Sequence, residues 1–429
     1  MLTGGAAADR CIEMGRKVLV VTVLLTVAVA YYVYKPLPDA IEKPWKLMML
    51  DAIFRSMMHL GFMKEYLVLS HYISSVRSSV ESIEGFTTSS ESREGVIPGV
   101  KFTDTTFAGV PVRVYEPPAG GEGHLRRGLM YLHGGGWAFG SGKGGAYDSI
   151  SHRISDELNC VVVSVDYRLY PAVHFPEPFL DCFAAAKHFL SPEVLARYAI
   201  DPERVAVSGD SAGGNLAAAV AQEISTDDGV PVKFSVQALI YPALQALDFN
   251  TPSYVQNQNM AVLSRHTMVM FWLQYLNGDL SLLPQVIANN HSASRQSALT
   301  AELRSRVDWT VLLPPKFRKN HSPLVVEKGS QEILKKVPGL LDTRAVPLLA
   351  EAAVLAKCPR AYILTCEYDV LRDDGLMYAQ RLRDVGVSVS LEHLEDGFHG
   401  AFGLITWPMD FEVGKRAVRS YITWLQNNL

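Results

Sequence analysis

One serine, a run of three glycines and one histidine hold the chemistry this chain offers. Gly209-Asp210-Ser211-Ala212-Gly213-Gly214 follows the apolar run Arg204-Val-Ala-Val-Ser208 and precedes an alanine-rich stretch. G-x-S-x-G between a strand and a helix is the pattern of a nucleophile elbow, in which the turn is too tight for side chains beside the serine. A serine hydroxyl attacks only when a base takes its proton, so Ser211 calls for a partner. His133-Gly134-Gly135-Gly136-Trp137 directly follows the apolar run 128–132. Glycines after a strand leave backbone N–H groups free to face a developing oxyanion, and the amide of Ala212 adds a donor just behind the serine. A phosphate cradle is the alternative for such a loop, but neither G-x-x-x-x-G-K-[ST] nor a Rossmann G-x-G-x-x-G is present.

The order of residues supports nucleophilic catalysis. On an α/β-hydrolase the triad runs Ser, then Asp or Glu, then His. Glu395-Asp-Gly-Phe-His399-Gly400 follows the last apolar run, 387–391, which makes His399 the general base. Five carboxylates lie in the two loops beside it: Glu367, Asp369, Asp373, Asp374 and Asp396. Asp373 and Asp374 stand before Gly375 and a helical run 376–384, where capping and the helix dipole explain an acid. Asp396, three residues before His399, fits a role in shaping its own loop. Glu367 and Asp369 remain, the first nearest to its strand and the second early in the loop. Neither metal nor cofactor is expected: the 12 histidines include no H-E-x-x-H, and the five cysteines no C-x-x-C pair. Cys11 stands alone. Cys160, Cys182, Cys358 and Cys366 read as reduced or buried thiols, with one disulfide among them as the alternative.

A parallel sheet must position these groups. Residues 110–115 alternate as a strand does, whereas 128–132, 160–165, 204–208, 236–241, 361–366 and 387–391 are short apolar runs. Helical stretches at 148–159, from 212, and at 411–427 separate or follow them. Strands alternating with helices predict an α/β fold, with a mostly parallel sheet flanked by helices. Residues 245–345 interrupt the alternation and read as a helical cap insertion in a catalytic domain spanning 100–429.

The remainder of the chain points to a membrane. Residues 18–34, VLVVTVLLTVAVAYYVY, carry no charge, with Arg16 and Lys17 before them and Lys35, Pro36 and Pro38 after. Seventeen helical residues span about 25 Å, the short end of what a thin bilayer accepts. Tyr31, Tyr32 and Tyr34 sit where an interfacial aromatic belt belongs. A cleavable signal peptide is the alternative, but the apolar run continues past Ala28-Val29-Ala30, which favours an uncleaved transmembrane signal anchor. The expected order is a cytosolic tail at 1–17, a span at 18–34, and membrane-proximal cap helices with a linker at 35–99. Leu50, Phe54, Met57, Met58, Phe62 and Met63 fall at helical spacing, either as a core-facing stripe or as a face touching lipid, and 77–98 read as a linker. The immediate positive flank and the sequons at Asn290 and Asn320 favour a lumenal body. Lys+Arg 40 against Asp+Glu 44 gives no overall attraction to nucleic acid, and 48% hydrophobic residues exclude a disordered chain. Oligomeric state is not legible.

HGGGW, YRLYP (167–171), GDSAGGNLAAA (209–219), CEYDVLRDDG (366–375) and EDGFHG (395–400) resemble the arylacetamide deacetylase branch of the hormone-sensitive-lipase family. The resemblance runs from Met14 to Leu429. QALIYPALQALDFNTPSY (237–254) and the tail around Trp407-Pro408 are most similar to the neutral cholesterol ester hydrolases of that branch. It implies a single-pass type II enzyme of the endoplasmic reticulum or microsomal membrane with a lumenal catalytic domain. The implied reaction is hydrolysis of apolar lipid esters, cholesteryl esters or acetylated ether monoacylglycerols, by a serine esterase. Amide cleavage of the arylacetamide type is the alternative. Carried over by motif, Ser211 is the nucleophile, Asp369 the acid, His399 the base, and His133, Gly134 and Gly135 line the oxyanion hole. The stretch before Met14 departs from the family pattern, so Met1 and Met14 are both candidate starts.

Overall fold

A computed structural model describes residues 4–88, 99–118, 125–292, 298–318, 321–323 and 329–429. Asn320 and the end of the expected linker, 89–98, lie outside them. Eight strands form one sheet in the order β1-β2-β4-β3-β5-β6-β7-β8. They are β1 (Lys101–Phe107), β2 (Val110–Glu116), β3 (Arg126–Leu132), β4 (Cys160–Val165), β5 (Ile200–Asp210), β6 (Val236–Ile240), β7 (Arg360–Tyr368) and β8 (Val389–Phe398). β2 pairs antiparallel with both β1 and β4, and all later pairs are parallel. The parallel strands are covered on both faces, so they can be apolar throughout: every residue of β4, CVVVSV, is buried. Helix α7 (Ala212–Thr226) is buried along nearly its whole length, which its alanines permit at close approach to the sheet.

The order serine, carboxylate, histidine depends on this topology. β5, β7 and β8 run parallel, so Ser211, Asp369 and His399 all emerge at their C-terminal ends. Between β6 and β7 the described residues make helices of at most 11 residues, among them Pro252–Gln256 and Arg265–Tyr275. Of these, Arg265–Tyr275 packs over the H-G-G-G-W loop, with Trp137 stacked on Tyr275 at 4.3 Å.

Three expectations change. Residues 77–88 are not linker but continue helix α3 (Tyr72–Thr88), because Ile73, Val76 and Val80 share the face packed on the core. β8 starts two residues later than read and runs on to Phe398, directly before His399. In helix α2 (Pro44–Tyr66), Met58 is buried and Phe54 and Met57 pack on the core, while Met63 is 53% exposed. One helical face was therefore read where the residues divide between two. Helix α1 (Gly4–Val33) covers 18–33 of the expected span at 18–34, and Glu13–Val33 is long and apolar enough to cross a membrane. It is exposed as far as Tyr31, and only its last turn, at Tyr32, meets the rest of the chain. Cys160, Cys182, Cys358 and Cys366 are free, buried thiols.

Candidate active site

The elbow is built by close backbone approach. A Cβ at Gly209 would collide with the carbonyl of Gly213, and one at Gly213 with the carbonyls of Leu132 and His133. Between them Ser211 holds φ 56 and ψ −118, a left-handed conformation that costs a non-glycine residue roughly 1–3 kcal/mol. Its amide donates to Ile240 O at 2.9 Å, tying the turn to the neighbouring strand. The side chain is thereby lifted off the end of β5.

Ser211 Oγ lies 2.9 Å from His399 Nε2, and His399 Nδ1 lies 2.8 Å from Asp369 Oδ2. A carboxylate only accepts, so Nδ1 carries the proton and Nε2 accepts from the serine hydroxyl. Asp369 is fully buried, and its Oδ1 accepts from the Leu371 amide at 2.9 Å. Asn257 Nδ2 donates to the carbonyls of Glu367 and Asp369, both at 3.0 Å, which fixes the loop that presents the acid. Ser211 is 8% and His399 7% exposed, so the pair is nearly closed off from bulk water.

The other four carboxylates have partners elsewhere. Glu367 turns to Arg372 Nη1 and His393 Nε2, each at 3.2 Å. Asp396 pairs with Arg416. Asp373 and Asp374 lie in the first turn of the helix Arg372–Asp384, where the dipole favours an acid, but neither side chain caps it. Both are fully buried and hold the chain after β6. Asp373 accepts from the Ser253 amide at 2.6 Å, and Asp374 from the amides of Leu244 at 3.0 Å and Gln245 at 3.3 Å. Burial raises the Asp374 carboxyl well above the usual range.

The oxyanion loop also differs in detail. The Gly134 amide already donates to Asp210 Oδ1 and to Tyr147 Oη, each at 3.0 Å, so it does not face the serine as an unused donor. His133 is fully buried and stacked on Tyr167 at 4.3 Å, with Nδ1 2.8 Å from Gly134 O. Burial lowers its imidazole to about 4, so it supports the loop as a neutral wedge. Among the described residues, the amides of Gly135 and Gly136 have no acceptor. These two glycines hold φ +108 and +61, values that L side chains rarely adopt, and a Cβ at Gly136 would meet the Phe271 ring at 2.6 Å. Ala212 opens α7, so its amide is one of the helix's unpaired N–H groups.

Asp210 occupies the variable position of G-x-S-x-G, to which the pattern gives no role. It is the residue that joins the two glycine motifs: Oδ1 accepts from Tyr131 Oη at 3.1 Å as well as from Gly134, and Oδ2 from Tyr147 Oη at 3.3 Å. Burial raises its carboxyl to about 6, with the hydrogen bond from Tyr131 and the charge of His399 working the other way. A carboxyl raised on folding destabilises the native state once ionised, so this cost is absent below about pH 4, grows between the unfolded and folded values, and is complete above about 6. Relative to the wild type, Asp210→Asn is therefore expected to be more stable at pH 8 than at pH 4 by up to about 3 kcal/mol, on top of a pH-independent loss from replacing one acceptor oxygen. Urea midpoints of both proteins at the two pH values measure this, and an equal difference at both would disprove the assignment.

Asn290 is half-buried at the start of a short turn, and the neighbouring Ser292 is buried against Leu247 O.

An eight-stranded, mostly parallel sheet with a serine elbow and a histidine at successive strand ends defines an α/β hydrolase. Residues 129–302 and 317–403 match the alpha/beta hydrolase fold family. The chain belongs to that family, in the branch of carboxylic ester hydrolases that contains neutral cholesterol ester hydrolase and arylacetamide deacetylase. Neutral cholesterol ester hydrolase 1 of Rattus norvegicus is 49% identical over 414 residues, covering 96% of this chain and 100% of its own. Arylacetamide deacetylase of Oryctolagus cuniculus is 46% identical over 410 residues, 96% of this chain and 99% of its own. Among solved structures, a Pyrobaculum calidifontis esterase aligns with TM-score 0.60 and 26% identity, over 83% of this chain and 92% of that one. A thermostable metagenomic carboxylesterase gives 0.61 and 26%, over 83% and 97%.

Proposed function

We propose that this hydrolase cleaves carboxylic esters of apolar lipids through an acyl-enzyme on Ser211, while held in a membrane by α1. The observation that carries the reaction is the relay of 2.9 and 2.8 Å from Ser211 through His399 to Asp369. Ser211 Oγ attacks the ester carbonyl as its proton passes to His399 Nε2. Asp369 keeps the proton on Nδ1 and stabilises the imidazolium. The amides of Gly135, Gly136 and Ala212 take the oxyanion. The C–O bond to the alcohol then breaks, and the alcohol leaves with the proton from Nε2. A water activated by the same nitrogen attacks the acyl carbon, and Ser211 regains its proton.

Support for a lipid substrate comes from relatives named for cholesterol esters and from an apolar helix beside the cap. The substrates that fit are cholesteryl esters and acetylated ether monoacylglycerols. The second reading, an amide-cleaving deacetylase, is favoured by the relatives of that name. A body on the lumenal side of the endoplasmic reticulum, type II, agrees with Arg16 and Lys17 before the span and with sequons at Asn290 and Asn320. A panel of cholesteryl oleate, an acetylated ether lipid, a short nitrophenyl ester and an arylacetamide tests the substrate class. At least one lipid ester is expected to turn over faster than the amide; the reverse for every lipid would establish the second reading. Alkaline carbonate should leave the protein in the microsomal pellet, and endoglycosidase H should shift its mobility. Release by carbonate removes the anchor, and an unshifted band removes the support that the sequons give to a lumenal body.

A further inference from the structure

Helix α2 has two apolar faces, and only one is accounted for by packing. Leu47, Asp51, Met58 and Gly61 are buried against the body. On the opposite side Trp45, Met49, Ile53, Leu60 and Met63 are 62, 42, 40, 54 and 53% exposed. At about 100° per residue these five fall within a stripe under a quarter-turn wide, running some 27 Å along the helix. Isolated exposed apolar residues are ordinary in proteins, but five on one stripe, interrupted at Ser56 where α1 packs, are not.

The row ends in a turn of unusual composition. Tyr66, Leu67, Val68 and Leu69, joining α2 to α3, are 87, 56, 91 and 70% exposed. Val68 holds φ 57 at a position where glycine or asparagine is the ordinary choice. A β-branched residue in that conformation is strained, and water gives no compensation for exposing it. The backbone of the turn is nonetheless closed on itself: the amides of Leu67, Val68 and Leu69 donate to Met63 O, Glu65 O and Lys64 O at 3.0, 2.8 and 2.9 Å. Satisfied backbone under apolar side chains is what a hydrocarbon environment demands. The hairpin is also stiff, with Phe62 stacked on Tyr72 at 4.2 Å and Gly61 too close to Tyr72 O to accept a side chain.

The position of α1 identifies the partner. Its last turn meets α2 at the middle of the exposed row, where Ser56 Oγ donates to Tyr32 Oη at 3.4 Å and Arg55 Nη2 to Tyr32 O at 2.9 Å. Immediately beyond it, Lys35 is paired with the buried Asp51 of α2. The apolar span thus leaves the body from the same side that carries the row. We propose that α2 lies along the bilayer surface through Trp45, Met49, Ile53, Leu60 and Met63, with the Tyr66–Leu69 turn inserted among the acyl chains. This rests on the reading of α1 as a membrane span. It sets the cap against lipid, because α3 is tied to the oxyanion loop by Arg77 Nη2, which donates to Ala138 O at 2.6 Å.

Single cysteines in the full chain, labelled with an environment-sensitive fluorophore and reconstituted in phosphatidylcholine vesicles, test the proposal. Cys11→Ser supplies the background, since Cys160, Cys182, Cys358 and Cys366 are buried. Labels at Ile53→Cys and Val68→Cys are expected to be quenched at least twofold by brominated acyl chains, as is a label at Val23→Cys in α1. A label at the exposed Lys357→Cys, at the bottom of the sheet, is expected to be unaffected. Quenching at Val23→Cys without quenching at Ile53→Cys and Val68→Cys overturns the proposal and leaves the anchor standing. Failure at all three sites overturns the anchor as well. A row that is unquenched because it is covered by a second copy of the chain would appear as a dimer in the same vesicles, and that also overturns it.

Discussion

Ser211→Ala is expected to lower ester turnover by about six orders of magnitude while leaving the fold intact. The size follows from the geometry. The hydroxyl is the only group of the relay that makes a bond to carbon, and His399 is held 2.9 Å from it with nothing else to deprotonate except water. The variant keeps the oxyanion amides and the pocket, so a residual rate of roughly 10³–10⁴ over uncatalysed hydrolysis should remain. Stability should hardly change, because Ala faces the same left-handed φ of 56 and loses one hydrogen bond. Measuring kcat on a short nitrophenyl ester, with the melting temperature as control, gives the answer. Labelling by a fluorophosphonate should vanish in parallel. A folded variant retaining more than about a hundredth of wild-type kcat would show that Ser211 is not the nucleophile.

What the sequence disclosed, it disclosed through local requirements. The G-x-S-x-G spacing makes the elbow legible, and Gly209 is required by Gly213 O of the same turn, whereas Gly213 and Gly214 are required by Leu132, His133 and Pro242 outside it. The order Ser211, acid, His399 is legible because the parallel strands put successive loops at one edge. Three consecutive glycines, by contrast, do not say which amide is spent. Asp210, 76 residues further on, takes that of Gly134 and leaves Gly135 and Gly136 with theirs. Asp373 and Asp374 read as helix caps because their partners, Ser253, Leu244 and Gln245, lie 120 to 130 residues away. Residues 77–88 read as linker because serine and glutamate outnumber Val76 and Val80, although those two suffice to seat the helix. In α2 the apolar residues lie on both sides of the helix, so periodicity marks a helix and cannot choose the buried face.

Asp369→Asn separates the relay from its surroundings. Asp369 Oδ2 accepts the Nδ1 proton of His399 at 2.8 Å, and its Oδ1 accepts from the Leu371 amide at 2.9 Å. Asparagine fits the same space and keeps one acceptor. Its carbonyl oxygen is expected to stay on the Leu371 amide, which turns its NH₂ group towards Nδ1. Nδ1 must then accept, the proton moves to Nε2, and the nitrogen facing Ser211 can no longer act as a base. Turnover should fall by about four orders of magnitude with little change in the melting temperature. Asp373→Asn makes the contrast. Asp373 is fully buried between Arg372 Nε at 3.0 Å and the Ser253 amide at 2.6 Å, and it does not touch His399. Neutralising it leaves the buried Arg372 with Glu367 as its remaining carboxylate, and weakening the hydrogen bonds at a buried charge costs about 1–3 kcal/mol. The folded fraction should keep its kcat within a few-fold. The two variants therefore exchange signatures, one catalytically dead and stable, the other active and unstable. If Asp369→Asn retains more than about a tenth of wild-type kcat while folded Asp373→Asn is inactive, the acid of the relay is not Asp369.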